Sequence, residues 1–97
     1  MKNKRFDLCL LQRVRQMHCL VCGSSPSDPH HILSRGAGGK DITENVMPLC
    51  RQHHVEVHMI GLLTLSHMHE RVYDWLEDNG WFIENIRQKW MHEGCRP

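Results

Sequence analysis

The sequence lacks several features that mark other classes of protein. No run approaches the roughly 18 consecutive apolar residues of a membrane-spanning helix, and segment 1–20 has no apolar stretch that ends in a small-residue cleavage site. A chain of 97 residues is also too short for two domains with a cleft between them. We therefore expect a single cytoplasmic domain with no membrane partner.

Aromatic residues and net charge are scarce as well. Aromatic side chains make up 6% of the chain, and a core of this size rarely supplies more than roughly 3–5 kcal/mol, so such folds often need a metal or a disulfide. The formal net charge is +1, but segment 1–15 sets five cations against Asp7: Lys2, Lys4, Arg5, Arg13 and Arg15. Such an arm either binds nucleic-acid phosphates or is a solvated terminus.

Cysteine and histidine, in contrast, are abundant, with five and nine residues respectively. The pair Cys19-x2-Cys22 is followed further along the chain by Cys50-x2-His53. Two such pairs can surround one ion tetrahedrally, as structural zinc requires, and a reducing compartment favours metal ligation over disulfides. The spacing predicts a structural Zn²⁺ site. The alternative is a reactive Cys19–Cys22 dithiol in a redox or metal-sensor protein.

Five further residues have the spacing of a second site: His30, His31, Asn45, His54 and His58. On a helix, residues i and i+4 share a face, so His54 and His58 can reach one ion. On a strand, adjacent side chains point to opposite faces. One of His30 and His31 can therefore bind the ion while its neighbour stays free to act as a base.

The periodicity of apolar residues predicts an α+β fold. We expect short strands over 30–33 and 46–49, and helices over 6–17, 50–59, 65–76 and 82–90. These elements define a basic N-terminal helix (1–18), a metal-bearing core (19–59) and a C-terminal helical hairpin (62–97). We expect the tryptophans of the hairpin to pack it onto the rest of the domain.

The run CLVCGSSPSDPHHILSRGAGG, with ENVMPLCRQHHVEVH further along, resembles the HNH endonucleases, specifically the zinc-ribbon type with small phage-encoded members. The His–Asn–His pattern alone is not specific, but its combination with the motifs HHI, GG and C-x2-HH-x3-H is. The resemblance spans residues 19–58. The resemblance implies a ββα-metal, treble-clef-like domain with a structural zinc knuckle and flanking helices. It also implies a bacterial or phage-encoded, intracellular protein.

The resemblance further implies a role for each residue of the second site. His31 corresponds to the general base that deprotonates a water molecule attacking the scissile phosphorus. Asn45 fixes the geometry of the loop and the base, or contacts the metal. His54 is a ligand of the catalytic ion, and His30 and His58 complete the ligand set.

The sequence departs from many of these relatives at two positions, because His30 stands where they have Asp and His53 where they have Cys. Imidazole suits transition metals, whereas Mg²⁺ prefers oxygen. The catalytic ion is therefore expected to be Mn²⁺ or Mg²⁺, with Ni²⁺ or Zn²⁺ as further options, and Asp28 could add an oxygen ligand. Four cations are candidates for contacts with DNA phosphates, or else are solvated charges: Arg35, Lys40, Arg5 and Arg13.

These observations predict a metal-dependent HNH endonuclease that hydrolyses DNA phosphodiester bonds, by nicking or by double-strand cleavage, as a monomer or weak homodimer. Neutral imidazole suits the base because its unperturbed pKa is about 6.5. The main alternative is a non-catalytic zinc-ribbon module that binds nucleic acid. A module of that kind needs only the four ligands of the structural zinc.

Overall fold

The computed structural model describes residues 6–95, which form four α-helices and two small antiparallel sheets. The helices are Leu8–Arg15 (α1), Arg51–Ile60 (α2), Leu62–Met68 (α3) and Glu70–Asp78 (α4). The strands are Asp28–His31 (β1), Val46–Leu49 (β2), Phe82–Glu84 (β3) and Lys89–Met91 (β4), paired β1 with β2 and β3 with β4. The predicted α+β class is confirmed. None of the helices within residues 6–95 combines the length and apolar character needed to span a bilayer.

Helix α1 is shorter than the predicted segment 6–17 because Asp7 caps its first turn. The Asp7 side chain accepts a hydrogen bond from the Leu10 N–H, which satisfies one of the free donors at the helix start. Arg13 and Arg15 lie in the last turn, where cations complement the helix dipole. One face of α1, with Leu10 and Val14, is buried against the β1–β2 sheet.

The β1–β2 hairpin connects the two parts of the sequence that carry the predicted site. His30 pairs with Met47 and His31 with Val46. Strand β2 has the predicted bounds and is entirely buried, whereas β1 begins two residues earlier than expected. It ends at His31 because the next residues, Ile32 and Leu33, bond to the backbone and side chain of Asn45 instead.

Helices α2 and α3 meet at Gly61, whose φ of 88° lies in the left-handed region that favours glycine. The helix expected over 65–76 is in fact two helices, because the extended backbone of His69 separates α3 from α4. Leu65, Val72 and Leu76 are nevertheless all fully buried. Their apolar spacing therefore predicts correctly which residues are buried, but it does not predict the interruption of the helix at His69.

The predicted helix over 82–90 is wrong, because this segment forms the β3–β4 hairpin. Ile83 pairs with Trp90 across the hairpin. The Glu84 carboxylate accepts hydrogen bonds from the Ile86 and Arg87 N–H groups and so stabilises the turn. Ile86 at the tip is 90% exposed, whereas Trp90 is buried and donates its Nε1–H to Ser66. The C-terminal region is thus two helices followed by a β-hairpin, rather than a helical hairpin.

The core joins α2, α3, α4 and both sheets around a set of fully buried apolar side chains: Met47, Leu49, Leu65, Val72 and Leu76. Trp81 and Trp90 belong to this core and Trp75 packs against it, as predicted for the three tryptophans. Trp81 also donates its Nε1–H to the Glu44 carbonyl at 2.7 Å. This bond attaches the C-terminal region to the loop that precedes β2.

Candidate metal centres and the His31 site

Four donor atoms from Cys19, Cys22, Cys50 and His53 lie within 4.8 Å of one another. The Cys22 and Cys50 sulfurs are 3.8 Å apart, and His53 Nδ1 lies 3.7 Å from the Cys19 sulfur and 3.2 Å from that of Cys50. Zn–S bonds of about 2.3 Å in a tetrahedron place sulfur atoms roughly 3.8 Å apart. The cluster could therefore hold a metal ion such as zinc.

The local backbone explains why these residues converge. Gly23, at φ 78°, turns the chain back so that its N–H bonds to the Cys19 carbonyl. The Val21 N–H points at the Cys19 sulfur, at 3.4 Å. Cys50 is the N-terminal cap residue of α2, so that the first turn of the helix presents His53 to the same point.

The three thiols of this cluster differ in the direction in which their surroundings shift the pKa. Hydrogen bonds from Ser24 lower the pKa of Cys22 to about 6. Burial raises the pKa of Cys19. Burial also acts to raise the pKa of Cys50, but hydrogen bonds from the His53 backbone and other donors outweigh it, and that pKa is lowered. These surroundings therefore favour the thiolate form, which is the form that binds metals, at Cys22 and Cys50.

A second cluster contains only imidazoles, from His30 on β1 and from His54 and His58 on α2. One nitrogen from each ring lies within 4.8 Å of the others, and the Nε2 atoms of His54 and His58 are 3.3 Å apart. Burial and the neighbouring His54 and His58 lower the pKa of His30 to about 3. His30 is therefore neutral at pH 7 and offers a lone pair, which a metal requires. The structure thus brings together the three histidines predicted to share an ion.

Asp28 occupies a different place from the one predicted. Its Oδ2 accepts a hydrogen bond from His54 Nδ1 at 3.0 Å and also pairs with Arg51 Nε at 3.3 Å. The carboxylate lies behind the His54 ring rather than among the nitrogen atoms of the cluster. A proton fixed on Nδ1 leaves the lone pair of His54 on Nε2, towards His58, and this arrangement orients many metal-binding histidines.

His31 makes none of the contacts that His30 makes. Its Nε2 lies 2.7 Å from Asp41 Oδ1, and its side chain is 17% exposed. Asp41 was not singled out by the sequence, where it is simply the first carboxylate after the glycine-rich loop. The adjacent histidines therefore have separate environments, as the alternation of a strand requires.

Asn45 is completely buried and holds the loop between the two strands. Its Oδ1 accepts from the Leu33 N–H, and its Nδ2 donates to the carbonyls of Leu33 and Lys40. Of its two predicted roles, the structure shows the fixing of the loop. Gly39 is required at the same place, because a Cβ atom there would collide with the Leu33 carbonyl.

The cations predicted to contact DNA phosphates differ in their exposure and in their partners within the protein. Lys40 and Arg13 are exposed, whereas Arg5 lies outside the described residues. Arg35 donates from Nη2 to Asp41 at 2.7 Å, and its guanidinium lies 4.6 Å from the centre of the Phe6 ring. Arg35 is therefore engaged within the protein, although its side chain is 40% exposed, and its contact with phosphates stays a prediction.

A family model described as "Protein of unknown function (DUF968)" matches residues 2–61. The chain is also 42% identical over 48 residues to "Uncharacterized protein YdfU" of Escherichia coli (strain K12). That alignment covers 46% of this chain and 14% of the relative, so the chain spans a small part of the relative's length. No solved structure matches the chain. All residues of the two clusters lie inside the segment that the family model matches.

Proposed function

We propose that this chain, which belongs to the DUF968 family, is a metal-dependent endonuclease of the HNH type that hydrolyses DNA phosphodiester bonds. The observation that carries the proposal is the cluster of His30, His54 and His58, which is separate from the cysteine-containing cluster. A module that uses zinc only to fold requires one closed set of four ligands. A second set, with three imidazole donors and an exposed edge at His58, is typical of an ion that also meets a substrate.

The two clusters suit different ions. Three thiols and one imidazole make a closed zinc site, which we assign as structural. Three imidazoles suit Mn²⁺, Ni²⁺ or Zn²⁺ better than Mg²⁺, which prefers oxygen ligands. We therefore propose Mn²⁺ as the favoured catalytic ion and Mg²⁺ as a weaker one. A divalent cation held by these histidines would neutralise charge on the phosphorane and on the leaving oxygen.

His31 supplies the base in this proposal. Its imidazole takes a proton from a water molecule, the water oxygen forms a bond to phosphorus, and the bond from phosphorus to the 3′ oxygen breaks. The leaving oxygen takes a proton from solvent, so the products are a 3′-hydroxyl and a 5′-phosphate. His31 suits this task because it is partly exposed and is not one of the three histidines of the cluster. Asn45 maintains the loop that follows β1.

DNA is the proposed substrate because exposed cations lie on two elements near the β1–β2 sheet. Lys40 extends from the loop that Asn45 fixes, and Arg13 lies at the end of α1, which packs on the sheet. Lysine and arginine at such positions can contact phosphates without reading sequence. We propose that the protein acts in the bacterial cytoplasm, from a chromosomal or a phage gene, as a monomer or weak homodimer.

The decisive experiment is plasmid cleavage by the purified, zinc-loaded protein. Supercoiled DNA would be incubated in EDTA, Mg²⁺, Mn²⁺, Ni²⁺ or Zn²⁺, and nicked and linear products would be separated on agarose. We expect cleavage in Mn²⁺, slower cleavage in Mg²⁺ and none in EDTA. A protein that binds the plasmid but cuts it with none of these ions is instead the non-catalytic zinc module.

A further inference from the structure

Asp41 is a carboxylate whose side chain has no exposed surface. Its Oδ1 lies 2.7 Å from His31 Nε2 and 3.3 Å from Arg35 Nε, and its Oδ2 lies 2.7 Å from Arg35 Nη2 and 2.7 Å from the Asp7 N–H. These donors come from β1, from the loop after it and from the residue that caps α1. Both carboxylate oxygens are thus fully engaged, and three separate segments converge on them.

The charge of Asp41 determines where His31 carries its proton. Burial alone would raise the pKa of Asp41, but hydrogen bonds from Arg35, the Asp7 N–H and His31 outweigh it, and the pKa lies below its ordinary value. An ionised carboxylate can only accept hydrogen bonds. The 2.7 Å contact between the two side chains is therefore a hydrogen bond only when the proton is on His31 Nε2, and a neutral ring in that tautomer has its lone pair on Nδ1.

We propose that Asp41 is the positioning residue of His31, and that it makes Nδ1 the atom that takes the proton from water. The part of this inference that concerns the reaction rests on the proposed function. Asp41 touches no substrate, and it acts by fixing the tautomer and the orientation of one ring. Without a fixed acceptor at Nε2, the ring would divide its time between two tautomers, only one of which presents a basic nitrogen to the water.

Arg35 has a defined part in this arrangement. Its guanidinium gives the buried carboxylate a counter-charge with two donors, and such a pair is the geometry that arginine favours. Phe6 lies over the same guanidinium, and the next residue, Asp7, donates its N–H to Asp41. The residue that caps α1 therefore contacts Oδ2, while His31 contacts Oδ1.

The test is the substitution Asp41→Asn, which preserves size and replaces the acceptor with a group that can donate to Nε2. The His31 tautomer would be read from two-bond ¹H–¹⁵N correlations of the zinc-loaded full chain, and kcat and KM would be measured in Mn²⁺. In the unmodified protein we expect His31 protonated at Nε2. In the variant we expect Nδ1 to become protonated and kcat to fall by roughly 10²–10⁴-fold, the range known for a base in the wrong tautomer, with little change in KM.

Two controls separate positioning from a merely structural role. Asp28→Asn makes the same chemical change behind His54, and it should leave the His31 tautomer unaltered. Asp41→Asn introduced into a His31→Ala background should lower the residual rate by less than about threefold, because residues that act as one unit are non-additive. A structural role predicts the same loss in both backgrounds, together with a lower thermal midpoint.

The outcomes are distinguishable. His31 protonated at Nδ1 in the unmodified protein overturns the inference, and this reading needs no variant. An unchanged kcat in Asp41→Asn overturns it as well. If the unmodified protein cuts no DNA, the proposed function fails, while the tautomer measurement still decides whether Asp41 fixes His31.

Discussion

The cysteine-containing cluster and the imidazole cluster share helix α2 yet differ in the number and the type of their donor atoms. The first has four donors, three of them sulfur, and a glycine turn that closes the chain around it. The second has three nitrogen donors, a carboxylate behind one of them and an exposed edge at His58. The difference teaches that the first cluster has enough donors to complete a tetrahedral ion, whereas three imidazoles would leave positions on an ion open for a further ligand.

The largest effect is expected from breaking the first cluster. Cys22→Ser should abolish the folded state, because structural zinc in small domains supplies about 10–16 kcal/mol of apparent binding free energy that is coupled to folding. Circular dichroism and elemental analysis would show lost structure and less than one zinc per chain. Cys9→Ser is the matched control, since Cys9 is an exposed free thiol on α1. A folded wild-type protein without metal would contradict the assignment.

Loss of the proposed base should greatly reduce activity and leave the fold intact. His31→Ala should slow plasmid cleavage by roughly 10²–10⁴-fold, the usual contribution of a positioned proton acceptor. Zinc content should change little, because His31 belongs to neither cluster. Added Mn²⁺ should not restore the rate, and restoration would assign His31 to the ion instead.

Weakening the second cluster should produce a defect that metal can repair. Asp28→Asn removes the carboxylate behind His54 and should lower the affinity for the catalytic ion by roughly 10–100-fold. Titration of Mn²⁺ against the cleavage rate would show a higher half-saturating concentration and recovery at excess metal. His54→Ala should also raise the half-saturating concentration of Mn²⁺, but excess Mn²⁺ should restore the cleavage rate only in part. His67→Ala, at an exposed imidazole outside both clusters, should match the wild type.

The smallest effect concerns the choice of ion. His30→Asp places an oxygen ligand among the imidazoles and should lower the ratio of the Mn²⁺ rate to the Mg²⁺ rate by about tenfold, since hard cations prefer oxygen. The two rates would be compared at saturating metal. A wild-type protein that is fastest in Mg²⁺ and indifferent to Mn²⁺ would show that the three histidines are not the ligand set.

The sequence was sufficient to predict both clusters and the elements that hold them. Their ligands lie in short motifs, and the i, i+4 spacing of His54 and His58 becomes a shared face once α2 forms. Strand β2 was predicted with its correct bounds for a similar reason, since Val46–Leu49 is short, apolar and followed by the cap residue of α2.

Other features could not be predicted because their causes are not local. The segment 82–90 has the apolar spacing of a helix but forms the β3–β4 hairpin. In this hairpin Trp90 donates a hydrogen bond to Ser66, and the Glu84 carboxylate stabilises the turn. Apolar periodicity does not register either contact. The site of Asp41 was missed for the same reason, because its donors lie on segments far apart in the chain and meet only in the folded protein.

Neighbouring residues on α2 belong to different clusters, since His53 points to the cysteines and His54 to the other histidines. The helix that carries the proposed catalytic ligands is capped by Cys50, a ligand of the proposed zinc site. On the proposed zinc assignment, a newly made chain would assemble its imidazole cluster only after zinc had ordered that first turn. We therefore expect cells short of zinc to hold the protein without the cluster that its proposed activity needs, so that zinc supply would govern when that activity begins.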